Sequence, residues 1–162
     1  MASDVVDAER PPRVPVIFVD ADACPVKDEV YKVATRYGFP VVVVANSPLR
    51  VPSVGVELIV RTGFGAADDF IAEQAAPGDI AITADVPLAA RCVAAGAVAL
   101  DPKGRVLNAN NVGEALGVRD LMADLREGGA VTGGPSPMTP KDRSRFLSKL
   151  DDLVNAVRRG KI

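Results

Sequence analysis

The sequence predicts an α/β fold, a three-layer sandwich with a mostly parallel central sheet between two layers of helices. Two observations carry that prediction. Short runs of apolar, largely β-branched residues recur at 16–19, 41–44, 56–60, 80–83 and 97–100. They are nearly continuous rather than alternating, which is the pattern of strands buried on both faces of a parallel sheet. The segments between most of them carry helical patterns, and strands alternating with helices build an open sheet covered on both sides.

Taken in order, residues 1 to about 13 are polar and closed off by Pro11 and Pro12, which predicts a mobile N-terminal extension ahead of a single domain over 14–162. The first strand ends at Asp20. Pro25 can open a helix at its first position and Gly38 can end it. Glu57 interrupts the third apolar run, so that strand is expected at an edge. Helices are expected over 66–76 and 86–95, stopped by Pro77-Gly78 and Gly96. Past residue 101 the period changes. Val118, Leu121, Met122 and Leu125 recur at i, i+3, i+4 and i+7, predicting an amphipathic helix over 117–127 that Gly128-Gly129 stops. A flexible stretch follows at 132–137. Thr139-Pro140-Lys141-Asp142 has the form of a capping box, and Phe146, Leu147, Leu150, Leu153, Val154 and Val157 give the last helix its apolar stripe.

At 162 residues, with 48% hydrophobic and 25% charged residues, the chain has the size and composition of one globular domain. No apolar run approaches the roughly 20 residues that span a bilayer. Asp4, Asp7 and Glu9 stand where a signal peptide carries positive charge, so a cytoplasmic location is expected. There is no histidine, which removes His-containing triads, His-ligated metal sites and the usual proton shuttle. Hydrolytic chemistry then rests on carboxylates, lysine, cysteine or a metal held by oxygen ligands, and such ligands favour magnesium, manganese or calcium. Cys24 and Cys92 form neither a disulfide framework nor a zinc pattern. Cys24 reads as a small packed residue at a helix start and Cys92 as core. A net charge of −2 argues against strong nonspecific binding to nucleic acid, without excluding an enzyme that touches one briefly.

The acidic residues carry the chemistry. Asp20-Ala21-Asp22 follows a buried strand and precedes a helix start. Asp22 also fits a simple helix cap, whereas Asp20 would be an expensive carboxylate to bury without a partner. Thr83-Ala84-Asp85 repeats the strand-then-aspartate arrangement, with Pro87 starting the next helix. Asp68 and Asp69 fall in the first turn of the 66–76 helix, where the dipole alone favours acids. Asp68 lies about 100° round from Ala67 on the inward face and Asp69 about 200°, so Asp68 reaches the core border and Asp69 points to solvent. Asp79 lies at the opposite end of its strand and reads as a turn residue. Carboxylates sharing one crevice repel unless protonated or neutralised. Magnesium or manganese is the simplest neutraliser for Asp20, Asp22, Asp68 and Asp85.

Phe-Val-Asp-Ala-Asp-Ala-Cys-Pro-Val-Lys (18–27), Val-Ala-Asn-Ser-Pro-Leu-Arg-Val-Pro (44–52), Gly-Asp-Ile-Ala-Ile-Thr-Ala-Asp-Val-Pro-Leu-Ala (78–89) and Thr-Gly-Gly-Pro (132–135) resemble the YaiI/YqxD family of uncharacterised bacterial proteins, over nearly all of 14–155. That family is in turn similar to PIN-like domains, metal-dependent nucleases with acidic residues after the first strand, on a middle helix and after a later strand. The resemblance implies that Asp20, Asp68 and Asp85 fill those catalytic positions, with Asp22 as a fourth metal ligand and RNA or DNA as substrate. Lys27 and Arg50 are candidates for phosphate contact, and Asn46 for orienting substrate or water. Residues 132–135 either present backbone N–H groups to a phosphate or form a linker. Seven basic against three acidic residues over 139–162 give +4, as a nucleic-acid groove or as the solvated face of a helix. Two other readings stay open. One is a non-catalytic PIN-like module that holds metal or a partner. The other is a haloacid-dehalogenase-like phosphatase with Asp20 as nucleophile and Asp22 as general acid, although that chemistry wants a lysine and then an acidic pair, and no Asp-Asp pair follows a strand after Lys103.

Overall fold

The computed structural model describes residues 13–129 and 137–162. The expected N-terminal extension, apart from residue 13, and the 132–135 stretch lie outside the described residues.

The apolar runs become β1 Ile17–Asp20, β2 Val41–Ala45, β3 Val56–Val60, β4 Ile80–Ile82 and β5 Val98–Leu100. These five are parallel, and a two-residue strand, β6 Val106–Leu107, pairs antiparallel with β5. The order across the sheet is β3-β2-β1-β4-β5-β6, which puts the Glu57 strand at an edge. The helices are α1 Lys27–Tyr37, α2 Ala66–Gln74, α3 Val86–Ala94, α4 Val112–Glu127 and α5 Pro140–Arg158.

Period-two alternation sorts the strand residues between two cores. Ile17, Val19, Val41, Val43, Ile80, Ile82 and Leu100 pack on one face with Val30 and Val33 of α1 and Phe146, Leu150 and Val154 of α5. Phe18, Val44 and Ala81 pack on the other with Ala67 and Ile71 of α2 and Leu88 and Cys92 of α3. Ala89, Ala99, Leu107 and Ala115 extend that second layer to α4. The molecule is the expected three-layer α/β sandwich.

Two local expectations need correction, and one element was not expected. Pro25 does not open α1. The chain leaves β1 through a single 3-10 turn, Ala21–Ala23, and α1 begins only at Lys27. Cys24 is extended (φ −119°, ψ 101°), as the clash of a following proline ring requires. Gly38 does end α1, with φ of +69°. The helix expected over 117–127 begins at Val112, and its apolar stripe is not all core. Val118 and Leu121 are exposed, and Ala115 makes the buried contact. The β6 hairpin was not foreseen. Gly104 makes it possible, because its φ is +91° and a Cβ there would stand 2.8 Å from Cγ of Arg145 and 3.0 Å from the backbone of α5.

The α5 capping box is present. Thr139 accepts from the Asp142 N–H, and Asp142 accepts from the Thr139 N–H. These bonds hold the Asp142 carboxyl below its usual range. Several C-terminal basic residues serve the packing of α5. Arg143 bonds the Pro25 carbonyl and Glu29 near the start of α1, Arg145 bonds Asp142, and Arg158 lies 4.9 Å from the Tyr37 ring centre. Among the described residues no helix is long and apolar enough to cross a membrane.

Candidate functional site

The strand order reverses between β1 and β4, because the chain runs outward from β1 to β3 and then returns to build β4 on the other side. Open parallel sheets leave a crevice beyond the carboxyl ends of their strands at such a switch point. Asp20 is the last residue of β1, and Thr83 follows β4 directly beside it. Thr83 Oγ1 donates to Asp20 Oδ2 at 2.8 Å, and the same oxygen accepts the Asp85 N–H at 3.0 Å. Asp85 caps α3, its Oδ1 accepting the Leu88 N–H at 3.1 Å. Asp22, in the 3-10 turn, caps no helix. Its Oδ2 accepts the N–H of Asn46 from the end of β2 at 3.1 Å. Asp68 comes from the first turn of α2. Its neighbour Asp69 is exposed and pairs with Arg91 at 2.9 Å.

These elements enclose a crevice of about 190 Å³ lined by Asp20, Asp22, Asn46, Asp68 and Asp85, with Gly65 and Ala67 as its small-residue floor. Asp20, Asp22 and Asp85 each have one oxygen anchored by the bonds above. Among the described residues, the second oxygen of each, and both oxygens of Asp68, have no hydrogen-bond donor in the chain.

The electrostatics follow from that geometry. Asp20 is 6% exposed, and burial pushes its carboxyl above the ordinary range. The Thr83 hydroxyl offsets part of the rise, and repulsion from Asp68, Asp85 and Asp22 adds to it. Burial also raises Asp68, as does the charge on Asp85, with Arg91 opposing. Among the described residues no lysine or arginine lines the crevice. The lining is therefore an all-oxygen, net-negative donor set, chemically suited to a hard divalent cation. It is not a preformed cage. Among the described residues, no three acidic or thiol groups are clustered so as to hold a metal ion.

The remaining candidates lie outside the crevice lining. Lys27 donates to the Cys24 carbonyl at 2.8 Å, and Arg50 is exposed on the β2–β3 connection. Both cysteines are buried, and burial pushes each thiol up to about 11. Thr83 was missed as a site residue. Its only signal was a hydroxyl two positions before Asp85 in the repeated strand-then-aspartate motif. A larger hollow of about 430 Å³ lies at the other end of the sheet, beside Val41 and Val56, the first residues of β2 and β3. Among the described residues no charged side chain lines it, whereas four carboxylates line the smaller crevice.

A family model described as "Uncharacterized BCR, YaiI/YqxD family" matches residues 18–156. A UPF0178 protein of Rhodopseudomonas palustris strain HaA2 is 54% identical over 145 residues, 88% of each chain. One from Bradyrhizobium diazoefficiens is 51% identical over 148 residues, 90% of this chain and 89% of its own. A third, from Rhodospirillum rubrum, is 52% identical over 148 residues, 90% of this chain and 99% of its own. No solved structure matches the chain.

Proposed function

The chain belongs to the YaiI/YqxD family, and we propose that it is a PIN-like, metal-dependent nuclease of the cytoplasm that hydrolyses phosphodiester bonds in RNA or DNA. The observation that carries this reading is the convergence of four carboxylates, from β1, the 3-10 turn, α2 and the β4–α3 junction, on one crevice that no cationic side chain lines among the described residues. Asp20, Asp22, Asp68 and Asp85 would hold Mg2+ or Mn2+. When bound, such an ion lowers the pKa of a water and offsets charge on a phosphodiester.

The chain's own groups have separable roles. Thr83 holds Asp20 Oδ2, so that Oδ1 is the oxygen left for a ligand. The Leu88 N–H does the same for Asp85, and the Asn46 N–H for Asp22. A fixed carboxylate loses little freedom when it binds, which is the use of such supporting bonds. Burial and mutual repulsion make Asp20 and Asp68 better proton holders than free carboxylates, suiting one of them to accept a proton from an attacking water. The Asn46 side chain, which lines the crevice, would orient substrate or water. Lys27 and Arg50 would meet phosphates further along the strand.

The test is incubation of purified protein with labelled single-stranded RNA and DNA in manganese. Cleavage that is lost in the Asp20→Asn, Asp85→Asn double variant supports the reading. Absence of cleavage, or cleavage that survives the double substitution, overturns it. A non-catalytic metal-binding role would show as ion-dependent stabilisation without turnover. A haloacid-dehalogenase-like phosphatase would form an aspartyl-phosphate on Asp20.

A further inference from the structure

One wall of the crevice continues into a loop with an unusual composition, Arg61-Thr62-Gly63-Phe64-Gly65. Gly65 lines the crevice and caps α2, so the Cα of Phe64 is about 3.8 Å from that of a crevice residue. The Phe64 side chain is completely exposed, with a relative accessibility of 109%. The other large apolar residues exposed among the described residues, Val14, Val54, Val118, Leu121 and Ile162, are all aliphatic. Among the described residues Phe64 is the one fully exposed aromatic; Tyr31, Tyr37, Phe39 and Phe70 are half-buried. Its presentation is built into the backbone, because Gly63 (φ +112°) and Gly65 (φ +72°) hold it from both sides in conformations that side-chain-bearing residues rarely adopt. Arg61 is anchored in the same loop. Its N–H bonds the Ala45 carbonyl at 2.9 Å, next to Asn46, and its guanidinium lies 4.7 Å from the Phe70 ring centre. That side chain donates to the Val60 carbonyl and, among the described residues, pairs with no carboxylate. An exposed aromatic and a positioned cation thus flank an acidic crevice.

We propose that Phe64 is a stacking platform for an unpaired nucleobase and Arg61 a contact for the adjoining phosphate, so that the crevice takes single-stranded nucleic acid. The assignment rests on the phosphodiester reading of the crevice. Stacking on an aromatic ring is tolerant of base identity, since every base has a π face, and arginine tracks the backbone. In a duplex those faces are covered by neighbouring base pairs, which is why an exposed ring selects for single strands.

The chain contains no tryptophan, so Phe64→Trp installs a unique fluorophore at the platform. Nuclease-resistant phosphorothioate dodecamers of DNA and RNA, single-stranded and duplex, would be titrated in manganese, with fluorescence and the anisotropy of an end label read together. The expected result is quenching by single strands, little by duplex or by an abasic strand, and roughly tenfold weaker single-strand binding by Phe64→Ala. Where cleavage is measurable, Phe64→Ala should raise KM and leave kcat nearly unchanged. Binding without quenching, equal affinity of Phe64→Ala and wild type, or no binding of any dodecamer overturns the proposal. The two readings fail separately. Quenching with no cleavage leaves the platform and removes the nuclease. Cleavage that depends on Asp20 and Asp85 but ignores Phe64 does the reverse.

Discussion

At the N-terminal edge of the sheet, Asp79 is fully buried and its charge is met on every side. Arg13 Nη1 lies 2.7 Å from its carboxylate, the Val16 N–H donates to Oδ1 at 2.9 Å, and the Ala76 N–H donates to Oδ2 at 3.0 Å. At the C-terminal edge, Asp20 is nearly as buried, yet among the described residues its one hydrogen-bond partner is the neutral Thr83 hydroxyl and its charged neighbours in the crevice are other carboxylates. Both residues sit beside buried strands, so burial does not distinguish them. What distinguishes them is compensation. A carboxylate held by a guanidinium and two amides ties β1, β4 and the residue-13 segment together. Asp20 is left short of positive charge, with burial and repulsion from the other carboxylates both raising its pKa.

Removing Asp79 should produce the largest effect on stability. Asp79→Ala leaves two backbone N–H groups and a half-exposed guanidinium without their acceptor, and we expect a loss of about 3 kcal/mol. Urea unfolding would measure it. An unchanged midpoint would mean that the two edges are not different in kind. Thr83→Val tests the other edge. It deletes the hydroxyl shared by Asp20 and the Asp85 N–H, and should cost about 2 kcal/mol in the same assay. It should also raise the Asp20 pKa further, visible by carbon-detected titration of the side-chain carboxyl.

The smallest effect has the opposite sign. Asp20→Asn keeps an acceptor for Thr83 and removes a repelled charge, so in metal-free buffer at neutral pH it should modestly raise the melting temperature. The pH dependence follows from the direction of the shifts. Asp20 and Asp68 have folded pKa values above the ordinary 3.8, so between the two values the native state binds more protons than the unfolded state. Their contribution penalises the fold above the raised pKa and is relieved as pH falls through it. Metal-free wild type should therefore gain stability on mild acidification before other carboxylates begin to protonate, and Asp20→Asn should flatten that gain. A wild-type stability that falls steadily from neutral pH downwards would contradict the shifts.

Much of this contrast was legible in the sequence, and the illegible part has a common cause. The β-branched runs, the Glu57 interruption and the Thr139–Asp142 box are local patterns, and each became the element it suggested. Helical geometry alone separated Asp68 from Asp69. Contacts between distant segments left no such trace. Asp79 read as a turn residue because its Arg13 partner lies 66 positions away. Asp22 fitted a cap of the next helix, although its partner is the Asn46 amide, 24 positions on. Periodicity marked Val118 and Leu121 as core without showing that α4 buries only Ala115 against its neighbours. The β6 hairpin depends on how closely α5 approaches Gly104, which nothing nearby in the chain records.

The measurement that bears most directly on the difference between the two edges is a manganese titration followed by thermal unfolding of the wild type, Asp20→Asn and Asp79→Asn. Manganese should raise the melting temperature of the wild type, Asp20→Asn should lose most of that rise, and Asp79→Asn, although less stable throughout, should keep it. An equal rise in wild type and Asp20→Asn would place the ion outside the crevice and leave the two edges alike in their response to metal.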